Sequence, residues 1–166
     1  SNTFPHTFNE SLNYDVLAIG ASTGGPRTLE KLVQMLPRNL SLPVVIAQHM
    51  PENFIPGFAE RLDGIIEPKV KVGEDGETLR PGTIYFAAGN GNMRLAKGID
   101  RVKITYTKDQ FQEFNEPSVD CLFQSVAEIY GDRAIGLILT GMGRDGARGM
   151  AEIHAQKGLT IAQDEK

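Results

Sequence analysis

Three short apolar runs alternate along this chain with segments of helical periodicity. The runs are Val16–Ile19, Val44–Ile46 and Ala134–Leu139, and the first is followed directly by glycine. None of them has the apolar–polar alternation of a half-exposed strand. Continuous apolar runs of this length are typical of strands buried on both faces, as in a parallel sheet. A fourth strand is predicted at Leu159–Ala162.

The intervening segments carry apolar residues at the spacing of a helix face. Helices are predicted from Pro26, which suits a first helical turn, to just before Pro37, and then over residues 54–62, 117–130 and 147–157. Strands alternating with helices indicate βαβ units. We therefore predict an α/β fold, a doubly wound and mostly parallel sheet with helices on both faces.

Two stretches depart from the alternation. Residues 69–107 contain short β-like pieces, Thr83–Phe86 and Arg101–Thr105, separated by Gly, Asn and Asp. This pattern predicts a β-hairpin-rich insertion or a sheet edge. Residues 1–13 are a polar lead-in or linker, so the folded domain is expected to span residues 14–166. A chain of 166 residues is the usual size of one domain.

Charge and composition exclude several classes of protein. Lys and Arg number 17 against 21 Asp and Glu, giving a formal net charge of -4, and this argues against nucleic-acid binding. The one cysteine excludes a disulfide framework and a multi-cysteine metal site. No apolar run approaches the roughly 20 residues of a membrane helix, and residues 1–13 lack the apolar core of a secretory signal. A cytoplasmic protein without membrane insertion is expected.

Glycines surround a serine directly after the first predicted strand. Residues 20–24 match G-x-S-x-G between a strand and a helix, the setting of a nucleophile elbow in which Ser22 projects from a sharp turn. Two other interpretations stay open. Ser22 can instead cap the following helix. The turn can also bind phosphate, although neither G-x-G-x-x-G nor the P-loop pattern is present.

A histidine and an aspartate follow two of the other buried strands. His49 comes just after the second strand and can act as a general base, or it can be a hydrogen-bonded loop residue. His6 lies in the polar lead-in and His154 inside a predicted helix, so neither suits that role. Asp145 follows the third strand and can orient His49, or it can cap the helix that starts at Ala147.

Parallel strands present their carboxyl ends at one edge of the sheet, which is where ligands bind in such folds. Ser22, His49 and Asp145 are therefore expected together on one rim as a catalytic triad. Their order along the chain differs from the three common triad orders, which argues against an ordinary α/β-hydrolase. The order does not argue against catalysis, because triads are defined by geometry and roles.

Four motifs, taken in order, closely resemble the catalytic domain of the chemotaxis receptor methylesterases of the CheB type. They are Gly20-Ala21-Ser22-Thr23-Gly24-Gly25-Pro26, Gln48-His49-Met50-Pro51, Pro117-Ser118-Val119-Asp120 and Leu139-Thr140-Gly141-Met142-Gly143-Arg144-Asp145-Gly146. The similarity runs from about Tyr14 to the last residue.

The resemblance implies a hydrolase that demethylates glutamyl methyl esters on the cytoplasmic helices of chemoreceptors, releases methanol, and in many members also deamidates glutamines. It implies Ser22 as nucleophile, His49 as general base and acid, and Asp145 as the residue that orients His49. Backbone groups around Thr23 and Met142 are the implied oxyanion donors. No metal or organic cofactor is implied. The implied partners are the methyl-accepting receptor and a regulatory receiver domain or other signalling partner outside this chain.

The sequence departs from the family pattern in four places. Asn92 stands where many relatives carry histidine, and Glu116 stands where many carry arginine. An anion in place of a cation disfavours a glutamate-rich receptor segment. Relatives usually carry a receiver domain before the catalytic domain, and no part of this sequence resembles one. The chain is expected to be truncated near its C-terminus.

Two further functions stay open beside the esterase. The departures at Asn92 and Glu116 leave a catalytically weak or silent receptor-binding domain of the same fold as the alternative. A nucleotide-binding domain is disfavoured, because no acidic residue follows the glycine-rich turn at a strand end about 20 positions on.

Overall fold

The computed structural model describes residues 14–108, 117–139 and 142–163. The described strands are β1 (Val16–Ala21), β2 (Val44–Gln48), β3 (Lys69–Val72), β4 (Thr83–Phe86), β5 (Asn92–Lys97), β6 (Val102–Thr107), β7 (Ala134–Leu139) and β8 (Leu159–Gln163). The described α-helices are α1 (Pro26–Gln34), α2 (Ile55–Asp63), α3 (Val119–Tyr130) and α4 (Ala147–Ala155). None of these helices is long and apolar enough to cross a bilayer.

Six strands form one sheet in the order β3-β4-β2-β1-β7-β8, and every pairing in it is parallel. This confirms the predicted doubly wound α/β fold. From β1 the chain moves through α1 to β2 on one side, whereas from β7 it moves through α4 to β8 on the other. The strand order therefore reverses between β1 and β7. Such a reversal opens a crevice at the carboxyl ends of the two strands.

The stretch 69–107 combines the two arrangements that its sequence predicts. β5 and β6 pair antiparallel as a hairpin, with Asn92 opposite Thr107. β3 and β4, in contrast, extend the main sheet as parallel strands at its edge. The Tyr106 hydroxyl joins the hairpin to the sheet by donating to the Gly73 carbonyl at 2.6 Å and accepting from the Ala88 N–H at 3.0 Å. Burial raises the pKa of Tyr106 to about 12, so it stays a neutral donor.

Successive residues of each buried strand face opposite layers, because side chains alternate across a sheet. Leu17 and Ile19 of β1 pack in the core beneath α1 and α2. Val16 and Ala18 pack in the second core, which α3, α4 and the β5–β6 hairpin cover. All four residues are fully buried. Helices therefore lie on both faces, as predicted, and this accounts for the continuous apolar runs.

Helices α3 and α4 approach each other closely at Gly149. A Cβ at this position would lie 2.5 Å from Phe123 Cβ and 3.3 Å from Asp120 Cα, atoms that cannot move without the α3 backbone. We expect Gly149→Ala to lower the free energy of unfolding by about 1–3 kcal/mol through overpacking. This exceeds the gain of about 1 kcal/mol that alanine brings to a helix.

Urea unfolding of the Gly149→Ala variant measures this effect. Gly57→Ala on α2 is the matched control, because no atom lies within 4 Å of the Cβ it would add. The control should be as stable as wild type or slightly more stable. Equal stability of the Gly149→Ala variant and wild type would show that α3 and α4 are not packed this tightly.

Candidate active site

The three residues predicted to form a triad all follow central strands of the sheet. Ser22 comes directly after β1 and His49 directly after β2, and the register places Ala21 opposite Gln48. The His49 N–H donates to the Ala21 carbonyl at 2.8 Å, which extends the pairing to the candidate base itself. Asp145 lies in the loop between β7 and α4. All three positions border the crevice where the strand order reverses.

His49 and Asp145 are joined by a hydrogen bond of 2.6 Å between His49 Nε2 and Asp145 Oδ2. The Asp145 side chain is fully buried and that of His49 is 14% exposed. Asp145 Oδ2 also accepts from the Val119 N–H at 2.8 Å, and Oδ1 accepts from the Asp120 N–H at 2.9 Å. Because a carboxylate is the acceptor, Nε2 carries a proton, and in the neutral imidazole the other ring nitrogen, Nδ1, keeps its lone pair.

The first turns of α3 and α4 are each bound by an aspartate that belongs to the other segment. Asp145 precedes α4 but accepts from N–H groups of α3, and the helix it precedes has Gly146 at its N-cap with no side-chain cap. Asp120 belongs to α3, and its Oδ1 accepts from the N–H groups of Gly146 at 2.9 Å and Gly149 at 2.8 Å. Capping of its own helix, the alternative role for Asp145, is therefore not what the structure shows.

The surroundings shift the pKa values of these two carboxyl groups in opposite directions. Burial raises the pKa of Asp145, but hydrogen bonds from His49 and from the N–H groups of Asp120 and Val119 outweigh it, so this pKa lies below its ordinary value. Burial raises the pKa of Asp120 above its ordinary value, and the nearby charge of Asp145 adds to the rise. The ionised form is therefore favoured at Asp145, the group in contact with His49.

Ser22 lies in a tight turn between β1 and α1. The Gly25 N–H donates to the Ser22 carbonyl at 2.8 Å, and α1 has Gly25 at its N-cap with no side-chain cap. The capping role that the sequence left open for Ser22 is therefore absent. Among the described residues the half-buried Ser22 hydroxyl makes no hydrogen bond, to His49 or to any other group. The structure thus brings His49 to Asp145 but leaves Ser22 unbonded, and catalytic hydrogen bonds often tighten only with substrate.

A cavity of about 470 Å³ opens beside His49 and Thr23. Its lining is largely apolar, and Arg61 at its border pairs with Glu30 at 2.8 Å. The lining residues are Thr23, Pro26, His49, Met50, Pro51, Asn53, Phe54, Gly57, Phe58 and Arg61. Pockets that are mostly apolar with a few polar groups are the usual form of small-ligand and side-chain sites.

The remaining predicted positions lie in different surroundings. Thr23 is exposed, and Met142 is half-buried against the core beneath α3. Asn92 is buried, and its Oδ1 accepts from the Ser118 N–H at 2.7 Å, directly before α3. Glu116 lies outside the described residues. Within the described ranges, no group of three or more His, Cys, Asp or Glu side chains is placed to hold a metal ion.

Two residues at this rim have roles that sequence reasoning did not assign. Asp120 and Gln48 both fall inside the quoted motifs, and Asp120 bonds the loop that carries Asp145. Gln48 is buried, and its side-chain amide donates to the Ser22 carbonyl at 2.6 Å. Besides its place in a motif, the signal for Gln48 was that it is a polar residue at the end of an apolar strand.

Comparison with known proteins assigns this chain to a family. Residues 17–166 match the family model described as CheB methylesterase. The catalytic domain of the CheB methylesterase of Thermotoga maritima superposes with a TM-score of 0.88 at 38% identity, covering 92% of this chain and 81% of that one.

Two curated relatives are named protein-glutamate methylesterase/protein-glutamine glutaminase. That of Nitratidesulfovibrio vulgaris is 42% identical over 151 residues, covering 91% of this chain and 41% of the relative. That of Vibrio cholerae is 45% identical over 156 residues, covering 92% and 41%. The chain thus spans about two fifths of the length of these relatives. It belongs to the CheB methylesterase family.

Proposed function

We propose that this chain is a serine-type hydrolase that demethylates glutamyl methyl esters on the cytoplasmic helices of chemoreceptors. The observation that carries the proposal is the partly buried His49–Asp145 hydrogen bond at the same sheet edge as the Ser22 turn. The names of the two relatives support the ester as substrate, and they also support deamidation of protein glutamines as a second activity.

In the proposed mechanism Ser22 Oγ attacks the ester carbonyl carbon while Nδ1 of His49 accepts the hydroxyl proton. Nδ1 is the available nitrogen, because Nε2 donates to Asp145. The carbonyl oxygen becomes an oxyanion, for which the N–H groups of Thr23 and Met142 are the proposed donors. The C–O bond to the methoxy group then breaks, His49 returns the proton, and methanol leaves.

Water completes the reaction by attacking the acyl-enzyme. His49 removes a proton from the water, the C–O bond to Ser22 breaks, and the serine recovers its proton from the imidazolium. The product is glutamate. With a glutamine substrate the same steps would release ammonia. Asp145 stays ionised throughout, as its lowered pKa favours, and it stabilises the imidazolium of His49.

The apolar cavity beside His49 suits the substrate of this reaction. A glutamyl methyl ester is uncharged, so it can enter a cavity walled by Met50, Phe54 and Phe58 without losing the hydration of a carboxylate. The demethylated product is an anion and is less suited to the same surroundings. We propose that this difference favours product release. The regulator and the receptor are proposed to lie outside this chain, in the cytoplasm.

Labelling with a serine-directed fluorophosphonate, followed by peptide mass spectrometry, tests the proposal. We expect the label on Ser22, because only a serine activated by a base reacts readily with such reagents. The same preparation should release methanol from a methylated receptor fragment. If neither labelling nor methanol release occurs, the chain is the silent receptor-binding domain instead. Labelling without methanol release would retain the serine hydrolase and reject the receptor ester.

A further inference from the structure

Gln48 places a buried amide between the nucleophile turn and the candidate base. It is the last residue of β2 and is 1% exposed. Its Nε2 lies 2.6 Å from the Ser22 carbonyl oxygen, 3.1 Å from that of His49 and 3.5 Å from that of Ala21. All three neighbours are acceptors, which fixes the NH₂ end of the side chain on this side.

The other end of the amide is left unsatisfied. Within the described residues Gln48 Oε1 is buried and has no hydrogen-bond partner. A buried polar atom without a partner is unfavourable, and a methionine or leucine would fill similar space without that cost. The carboxamide therefore contributes through its donor end, which reaches the carbonyls of Ala21, Ser22 and His49 at the catalytic rim.

The bond to Ser22 fixes a peptide plane. The Ser22 carbonyl accepts from both Gln48 Nε2 and the Gly25 N–H. In a trans peptide the carbonyl of one residue and the N–H of the next point in opposite directions. The Thr23 N–H therefore points away from the buried amide. In the described part of the chain it donates no hydrogen bond, and Thr23 borders the cavity together with His49.

We propose that Gln48 is a positioning residue for the reaction. Its carboxamide holds the Ser22–Thr23 peptide with the Thr23 N–H free for the oxyanion, and its second bond fixes the His49 backbone against the same turn. This inference rests on the proposed function, because it assigns Gln48 to the transition state of that hydrolysis. Gln48 acts through Ser22, Thr23 and His49 and does not contact substrate itself.

The test replaces Gln48 by methionine, which has similar length and no donor. Gln124→Met is the matched control, since Gln124 is a half-buried glutamine of α3 that accepts from Arg94 of β5. We expect Gln48→Met to lower kcat for methanol release about 10- to 100-fold while KM stays within about twofold, because transition-state stabilisation alone is lost. Affinity for a boronate, which mimics the tetrahedral anion, should fall by a similar factor.

A second variant and a second readout distinguish a failure of the Gln48 proposal from misfolding and from a failure of the proposed function. If Gln48→Met does not fold, Gln48→Asn carries the test, because its shorter side chain keeps a donor but withdraws it from Ser22. The Thr23 amide signal in ¹⁵N–¹H spectra should shift or broaden in the Gln48 variant and not in the Gln124 control. This readout does not depend on activity, so it stands even if wild type releases no methanol and the proposed function fails.

Two kinetic results would overturn the role of Gln48. One is a folded Gln48→Met variant whose kcat lies within about twofold of the kcat of an active wild type. The other is an increase in KM with unchanged kcat, which would assign Gln48 to substrate binding. An unchanged Thr23 amide signal in the variant would likewise reject the fixed peptide plane.

Discussion

Ser22→Ala is expected to lower the rate of methanol release by roughly 10⁵-fold or more, because it removes the atom that forms the acyl-enzyme. The variant should keep its fold. Ser22 is held through its carbonyl, which accepts from the Gly25 N–H and from Gln48, and these bonds do not involve the hydroxyl. Thermal unfolding should therefore occur within a few degrees of the wild-type temperature.

The measurement compares initial rates on one methylated receptor fragment, together with fluorophosphonate labelling. Ser41→Ala is the matched control, since Ser41 is an exposed serine before β2. The control should retain full activity and full labelling. Methanol release by Ser22→Ala at even a tenth of the wild-type rate would reject Ser22 as the nucleophile.

The second large effect is expected for Asp145→Asn. The carboxamide places an NH₂ group against donors, because both oxygens of Asp145 accept from backbone N–H groups and Oδ2 also accepts from His49. His49 then loses the acceptor that fixes its tautomer and stabilises its imidazolium. We expect kcat to fall on the order of 10⁴-fold. Loss of charged hydrogen bonds should also lower the free energy of unfolding by about 2 kcal/mol at neutral pH.

The difference in stability between wild type and this variant should depend on pH in a defined direction. The pKa of Asp145 is lower in the folded protein than its ordinary value, so its contribution is present above the unfolded-state pKa and is lost as pH falls through the lowered folded value. Asp120 acts in the opposite sense, because its pKa is raised on folding and its contribution is lost as pH rises. Wild type should therefore approach the stability of Asp145→Asn as the solution becomes acidic.

Urea unfolding over an acidic pH series measures this convergence. Asp132→Asn replaces an exposed aspartate and should follow the wild-type curve throughout. Activity is compared at a temperature where every variant is folded, so that the rate loss of Asp145→Asn is not a loss of folded protein. A stability difference that stays constant from neutral to acid pH would contradict the assignment of the lowered pKa to Asp145.

The fold was predictable because the sequence patterns that indicate it involve residues close together in the chain. A strand buried on both faces must be apolar at every position, and a helix beside it must repeat every three to four residues. The runs at Val16–Ile19 and Ala134–Leu139 meet that requirement, and the pattern is visible in the sequence. The strands β3 and β4 do not, because Lys69–Val72 alternates lysine with valine and is equally typical of a hairpin strand. Their place in the parallel sheet depends on β4, which pairs with both β2 and β3.

The α/β architecture and the positions of Ser22, His49 and Asp145 after three of its strands follow from the sequence, since buried strands and the turns that end them are encoded by neighbouring residues. Three contacts became visible in the folded chain alone: Asp145 binds the first turn of α3 instead of capping its own helix, His49 presents Nε2 to it, and Gln48 reaches the Ser22 carbonyl. His49 and Asp145 are 96 positions apart, and Gln48 and Ser22 are 26 apart. Hydrogen bonds over such separations depend on strand order and helix packing, which no local pattern of residues specifies.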